Sequence, residues 1–412
     1  MKTKNEIKKL HFLYQNYLKR LSFETRTTIS GSEPLAKMDY AEELLAKDRS
    51  LSSYIYDLGI QIAPSLIKFS PLSRHYRTTT KRKVHNIKGG IILSCDEVML
   101  ENKSLLEPKI HSEIYSSLSD FLNKKDNLKY ASNLNFVIIR GNYERVSIIF
   151  NLQNVDGHII KSFTCISQYL KNLFPAIDGA FIFVDPDSSK YYMNFSSGTD
   201  SPKLKRLFGN KNLSIKAGNI SYFFSPDSFS QVNLSICNVM LDTVVELLKP
   251  NGGKFFDLYC GYGFFSCFLA NFYESIVGID YSSVSIDSAR ENMKRLNYKT
   301  KYSFFAQKIE RRTLNKLIDY DFHNSHVILD PPKNGTAIGV IEFIASKKPE
   351  KVLHIFCGLE SIPDEIERWK KSGYTPEKCI PLDMFPGTPD IEVMFLLKPQ
   401  SSKTFSRLKS GR

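Results

Sequence analysis

No stretch of the 412-residue chain is apolar for long enough to cross a bilayer. The first residues, Met1 to Lys9, are polar and basic and lack the apolar run of a secretion signal. Seven cysteines are scattered along the chain, and no two form a Cys-x-x-Cys pair. An odd, dispersed set argues against a disulfide framework or a zinc site and points to free thiols in a reducing cytoplasm. Acidic residues are missing from two windows. None lies between Asp57 and Asp96, where Arg74, Arg77, Lys81, Arg82, Lys83 and Lys88 stand beside Tyr76 and two histidines. None follows Glu392, while Lys398, Lys403, Arg407, Lys409 and Arg412 do. With a net charge of +13, such clustering favours a phosphate-rich polymer through counterion release, and membrane is not the expected partner. The first cluster is assigned to nucleic-acid contact, through Arg74, Arg77, Lys81, Arg82 and Lys83. The tail reads equally as a basic, disordered end.

The length suffices for roughly two or three domains. Residues 1–70 read as a helical extension, with Ile7, Leu10, Tyr14, Tyr17 and Leu21 recurring at helical spacing. Residues 71–230 read as an α+β middle domain. It has strands at 91–94, 135–140, 145–152 and 179–184, and helices at 110–122 and 166–173. From 231 to 399 helices and strands alternate regularly, which implies an α/β, Rossmann-like domain with a mostly parallel sheet covered on both faces. A basic tail, 400–412, follows. No internal repeat is present.

The organising stretch of the last domain is Lys254 to Ser266. A buried strand stops on Gly261 and Gly263 and a helix follows at once. Glycines let the chain turn tightly there and leave space for a ligand, and the new helix offers unpaired N–H groups. A second strand ends at Asp280, placed to accept from the two hydroxyls of a ribose. Alone, a Gly-x-Gly turn is also a plain strand-to-helix corner. Ser266 only loosely fills the third small position of a dinucleotide fingerprint, and Asp257 sits where nucleotide dehydrogenases carry an apolar residue. Asp257-x-x-x-Gly261-x-Gly263 resembles the motif of S-adenosylmethionine-dependent methyltransferases.

Three further positions fall at strand ends, where ligands collect in open α/β sheets. Asp330-Pro331-Pro332-Lys333 is a stiff turn presenting a carboxylate and carbonyls. Amino-group methyltransferases place an aromatic residue after the two prolines, and Lys333 stands there instead. Cys357 ends a strand one step further along the same edge. Cys165, Cys237 and Cys267, on predicted helices, read as small core residues. Glu392 opens an apolar strand. Uracil C5 is a poor nucleophile with a non-acidic proton, so methylating it calls for a thiolate that adds to C6, a base for the C5 proton, and groups to hold the ring. Cys357, Glu392, Asp330 and Gln231 supply that inventory.

In this order and spacing the chain resembles the RNA 5-methyluridine methyltransferases, a bacterial family acting on tRNA and large-subunit rRNA. The resemblance covers roughly Arg74 to Pro399. It is carried by Ser228-Phe229-Ser230-Gln231-Val232-Asn233, the Asp257–Gly263 segment, Asp330-Pro331-Pro332-Lys333-Asn334-Gly335, Cys357, and Asp383-Met384-Phe385-Pro386-x-Thr388-Pro389 with Glu392. It implies S-adenosylmethionine as cofactor, Cys357 as nucleophile and Glu392 as proton acceptor. It also implies cofactor contacts from Gln231, Tyr259, Asp280 and Asp330, joined by Gly261 and Gly263 from the turn. The chain departs from the family in several places. Gly358-Leu359 follows the nucleophile where asparagine or aspartate and then proline are usual. Phe264 replaces a small or polar residue after the second glycine, and Ala306-Gln307-Lys308 lacks an acidic or amide pair. No cysteine precedes Cys95 to build the iron–sulfur cluster many members bind, so none is expected. The helical start does not resemble the small β-barrel that some members carry. The rival readings are RNA cytosine-C5 methylation, disfavoured by Lys333 where a cysteine is typical, and a catalytically silent RNA-binding relative. A nicotinamide dehydrogenase is a distant third.

Overall fold

The computed structural model describes residues 4–95, 103–186, 204–317, 322 and 324–400, and for 4–11 only the backbone. The basic tail beyond residue 400 lies outside the described residues. Two helices open the chain, α1 (Lys4–Thr25) and α2 (Tyr40–Asp57). Asp39 caps α2 by accepting from the Ala41 and Glu42 N–H groups.

The middle region is a six-stranded sheet built from β1 (Thr79–Ile87), β2 (Gly90–Ser94), β3 (Leu134–Gly141), β4 (Val146–Leu152), β5 (Ile177–Val184) and β6 (Leu204–Gly209). Its order is β2-β1-β3-β4-β5-β6, and only β4 and β5 run parallel, joined by the crossover helix α5 (Gly157–Leu173). Helices α3 (Lys109–Leu122), the short α4 (Leu128–Ala131) and α5 share one core with the sheet. Helix α5 starts well before the predicted Ile166, and its buried face is Phe163, Ile166, Ser167 and Leu170. Cys165 therefore falls on the outer face and is exposed, contrary to the core position expected from its helical setting. Cys237 and Cys267 are buried as expected.

A hairpin, β7 (Leu213–Ala217) and β8 (Ile220–Phe224), follows. Its strict alternation puts Leu213, Ile215, Ala217, Ile220, Tyr222 and Phe224 on one buried face. That face joins the core of the C-terminal sheet and not that of the middle sheet.

The C-terminal region alternates as anticipated: α6 (Cys237–Leu248), β9 (Lys254–Leu258), α7 (Phe264–Leu269), β10 (Ser275–Asp280), α8 (Ser283–Leu296), β11 (Lys301–Ala306), α9 (Arg311–Leu317), β12 (Ser325–Leu329), α10 (Val340–Ser346), β13 (Lys351–Phe356), α11 (Ile362–Lys371), β14 (Tyr374–Leu382) and β15 (Glu392–Pro399). Strand order is β11-β10-β9-β12-β13-β15-β14. Five strands run parallel, and β15 inserts antiparallel between β13 and β14. The chain leaves β9 to one side for β10 and β11, then returns to the other for β12. This reversal makes the carboxyl ends of β9 and β12 a topological switch point, where open α/β sheets hold their ligands.

The N-terminal helices are not a separate body. Tyr17, Leu21, Leu51, Tyr54 and Ile55 share one core with Phe256, Phe356, Leu359, Trp369 and Val393.

Candidate active site

At the end of β9 the backbone runs through three left-handed residues, Tyr259 (φ 68°), Gly261 (φ 53°) and Gly263 (φ 82°). A Cβ at Gly261 would meet nothing within 4 Å, so this glycine faces open space and meets the conformational demand. A Cβ at Gly263 would press on Ala289 of α8 and Cys267 of α7, at 3.2 Å each, so that glycine lets two helices close on the turn. Asp280, ending β10, accepts from Gly261 N at 3.0 Å and Ser282 N at 2.9 Å, locking the turn to the neighbouring strand. Asp257 lies wholly buried below and accepts from both N and Oγ of Ser266 in the first turn of α7, at 3.0 and 2.6 Å. Its other oxygen is buried without a hydrogen-bond partner, and burial pushes its carboxyl up to about 7. The Tyr259 ring packs against the core beneath α10, and burial raises its phenol.

One strand over, β12 delivers Asp330 and the two prolines, and β13 delivers Cys357. The Cys357 thiol donates to the Pro331 carbonyl at 3.6 Å. The β13–β15 register pairs Phe356 with Val393, so Cys357 and Glu392 are the next residues along at the same end. Glu392 is 5% exposed and one of its oxygens is buried without a partner. Burial, Asp330 and Glu392 together push the Cys357 thiol up to about 12, with Lys333 opposing them. Burial and the Asp330 charge likewise raise Glu392, again opposed by Lys333. Asp330 is itself raised, by burial and then by Asp257 and Asp280. The turn therefore gathers negative charge around a neutral thiol. Lys333 also pairs with Asp390 at 3.3 Å, which ties the Asp-Pro-Pro turn to the loop before Glu392.

Gln231 is buried on a strip between the two sheets. Thr78 N donates to Val232 O at 2.8 Å, Arg140 donates to Ser230 Oγ at 2.8 Å, and Asn233 Nδ2 reaches Met384 O at 3.1 Å. The basic cluster divides. Arg82 is 2% exposed, donates to both Glu107 oxygens at 2.6 Å and stacks over Tyr115. Arg74 donates to the carbonyls of Leu35, Ala36 and Met38 and to Glu43. Both arginines are committed to protein partners, which removes them from the nucleic-acid contacts expected of them. For Arg82 the reason is strand alternation: Thr80 and Arg82 point inward on β1, while Lys81 and Lys83 occupy the alternate positions and are half-buried. Arg77 is half-buried and Lys88 exposed.

Sequence reading missed Lys47 and Glu43, which lie wholly buried beneath the loop before Glu392. Two charged residues one helical turn apart look like a surface pair, and no local signal separates them from one.

Strand order, glycine turn and the acidic end of the second strand define a class I methyltransferase fold. Residues 197–400 match the family described as tRNA (Uracil-5-)-methyltransferase. That match spans just under half of the chain, and the names of the family and of the relatives indicate S-adenosylmethionine-dependent RNA uracil-C5 methyltransferases. It is 29% identical over 347 residues to a tRNA/tmRNA (uracil-C(5))-methyltransferase of Campylobacter lari, covering 79% of this chain and 90% of that one. It is 27% identical over 279 residues to an uncharacterized RNA methyltransferase of Nanoarchaeum equitans, covering 66% of this chain and 57% of the relative's length. In fold it is similar to the crystal structure of Pyrococcus abyssi tRNA (uracil-54, C5)-methyltransferase in complex with S-adenosyl-L-homocysteine, with a TM-score of 0.65 and 21% identity over 88% of this chain and 85% of that one.

Proposed function

We propose that the chain methylates C5 of a uridine in RNA, tRNA being the first substrate to test and rRNA the second, through a covalent bond between Cys357 and C6. The observation that supports this reading best is the pairing of a strand-end thiol with a buried, half-unpartnered carboxylate across the β13–β15 register, beside the Asp330 turn.

The site suits S-adenosylmethionine on physical grounds. Asp257, Asp280, Asp330 and Glu392 crowd it; burial raises all four carboxyls, and neighbouring carboxylates add to the rise for Asp257, Asp330 and Glu392. A ligand carrying positive charge relieves that strain. Gly261 leaves room for it against the main chain, and Asp280, at the end of β10, is the carboxylate we assign to the ribose hydroxyls. When bound, the cofactor supplies an electrophilic methyl group on a sulfonium. Gln231, Tyr259, Gly261, Gly263, Asp280 and Asp330 are the residues we assign to hold it.

Cys357 gives up its proton to solvent and its sulfur bonds to C6, moving the C5–C6 π electrons onto the ring as an enolate. That gives C5 the nucleophilicity uracil lacks. After C5 is substituted, Glu392 accepts the C5 proton, the double bond re-forms, and the thiolate leaves C6. A carboxylate with a raised pKa is the stronger base once ionised. The base enters between the middle and C-terminal sheets, out of its stack, with Arg77, Lys81, Lys83 and Lys88 following the backbone.

The test is transfer of labelled methyl from S-adenosylmethionine to cellular RNA, with digestion to nucleosides. Wild type should yield 5-methyluridine and Cys357→Ala none. Glu392→Gln should hold RNA on the protein through denaturing electrophoresis, since the C5 proton cannot leave. Label in 5-methylcytidine, or RNA binding without transfer, would replace this reading with the cytosine enzyme or the silent binder.

A further inference from the structure

The loop after Cys357 lacks the proline that would stiffen it, and the helices α1 and α2 do not resemble the small β-barrel that some members of the family carry. The structure brings these two departures together. Tyr54 of α2 donates its hydroxyl to the Leu359 carbonyl at 2.8 Å, two residues past the nucleophile. Tyr17 of α1 donates to the Pro389 carbonyl at 2.8 Å, three residues before the base. The two tyrosine rings are buried edge to face, 6.0 Å apart, so one aromatic pair touches both loops. Leu359 packs into the same core.

The loop before Glu392 is gripped further. Lys47 bridges Glu43 and Asp383, at 2.8 Å each, with all three side chains wholly buried. Glu43 also accepts from Gly387 N at 2.6 Å, and Leu35 N donates to Gly387 O at 3.0 Å. Residues 383–391 form no helix or strand of their own. Their backbone groups still need partners, and α1 and α2 with the turn between them supply several.

We propose that the α1–α2 pair is a positioning element of the active site, with Tyr17 and Tyr54 setting the spacing between the nucleophile loop and the base loop. Gly358-Leu359 is tolerated after the nucleophile because the order a proline would impose from within is imposed from outside. This rests on the assignment of Cys357 and Glu392 made above. Neither tyrosine touches substrate; each acts through the carbonyl it holds.

The experiment uses the full chain with Tyr17→Phe, Tyr54→Phe and the double variant, which keep both rings and delete only hydroxyls. Four quantities are compared with wild type: amide hydrogen exchange resolved by segment, iodoacetamide labelling of Cys357 against Cys165, affinity for S-adenosylhomocysteine, and kcat on RNA. The expected result for the double variant is faster exchange confined to residues 357–361 and 383–391, faster Cys357 labelling, and unchanged cofactor affinity. A single such hydrogen bond corresponds to about a 2- to 10-fold effect, so kcat of the double variant should fall by about 4- to 100-fold. Unchanged exchange and labelling would overturn the proposal, and so would loosening spread evenly over the C-terminal sheet, which marks a merely structural role. If wild type transfers no methyl, the functional reading falls, while exchange and labelling still decide the positioning role.

Discussion

Replacing Asp330 by asparagine should make Cys357 more reactive toward an alkylating agent while lowering methyl transfer. The thiol is pushed up to about 12, by burial first and by Asp330 second. At pH 8 a thiol with that pKa is thiolate in about one molecule in 10⁴, whereas an exposed cysteine is about one-quarter ionised. A like charge at close range is typically worth about one pKa unit or more, so deleting it should raise the thiolate fraction and the labelling rate about tenfold at pH 8.5. The gain should shrink toward pH 6, because wild-type Asp330 is itself held partly protonated by burial and by Asp257 and Asp280. Rates are read by mass spectrometry of the Cys357 peptide after timed iodoacetamide, with exposed Cys165 as internal reference. The neighbouring charges fix an order: Asp330→Asn fastest, Glu392→Gln next, wild type, then Lys333→Gln slowest. If Asp330→Asn labels no faster than wild type, or Lys333→Gln labels faster, the electrostatic account of this thiol is wrong.

Stability should depend on Asp257, whose folded pKa of about 7 exceeds its ordinary 3.8. The folded chain keeps a proton that the unfolded chain releases, so the contribution of Asp257 to stability is full below about pH 4 and declines as pH rises toward 7. Asp257→Asn should flatten that decline in a melting-temperature series, and an unchanged slope would count against it. Lys47→Met leaves Glu43 and Asp383 buried around an apolar chain, and urea denaturation should show a loss of about 3–5 kcal/mol. A loss under 1 kcal/mol would mean the carboxylates find other partners. Gly278→Ala drives a Cβ into the buried Phe304 ring, and the overpacking should cost about 1–3 kcal/mol by the same measurement unless the ring moves freely.

Much of the C-terminal region was legible before any coordinates. Apolar runs bounded by glycine, proline and caps mark its central parallel strands, because those are buried on both faces, whereas the edge strand β11 is exposed over its first three residues. Asp257, Gly261, Gly263, Asp280, Asp330 and Cys357 could be placed at one edge because parallel strands all end on the same side. The shorter pieces were not legible. Strands β6, β7 and β8 and helices α9, α10 and α11 span at most ten residues each, too few for a periodic signal to stand clear of loop sequence.

Local pattern, then, determined the sheet, the glycine turn and the kinds of group available for chemistry. Residue spacing along the chain carries that information, since strand and helix periods are properties of the backbone. Which groups meet was decided in three dimensions. Inserting β15 antiparallel beside β13 sets Glu392 against Cys357, which are distant in sequence. Folding α1 and α2 onto the two loops turns a helical preamble into part of the site. Alternation on β1 sends Arg82 inward, so charge counted along the chain overstates what reaches a phosphate. Packing and desolvation act between residues that only the closed fold makes neighbours.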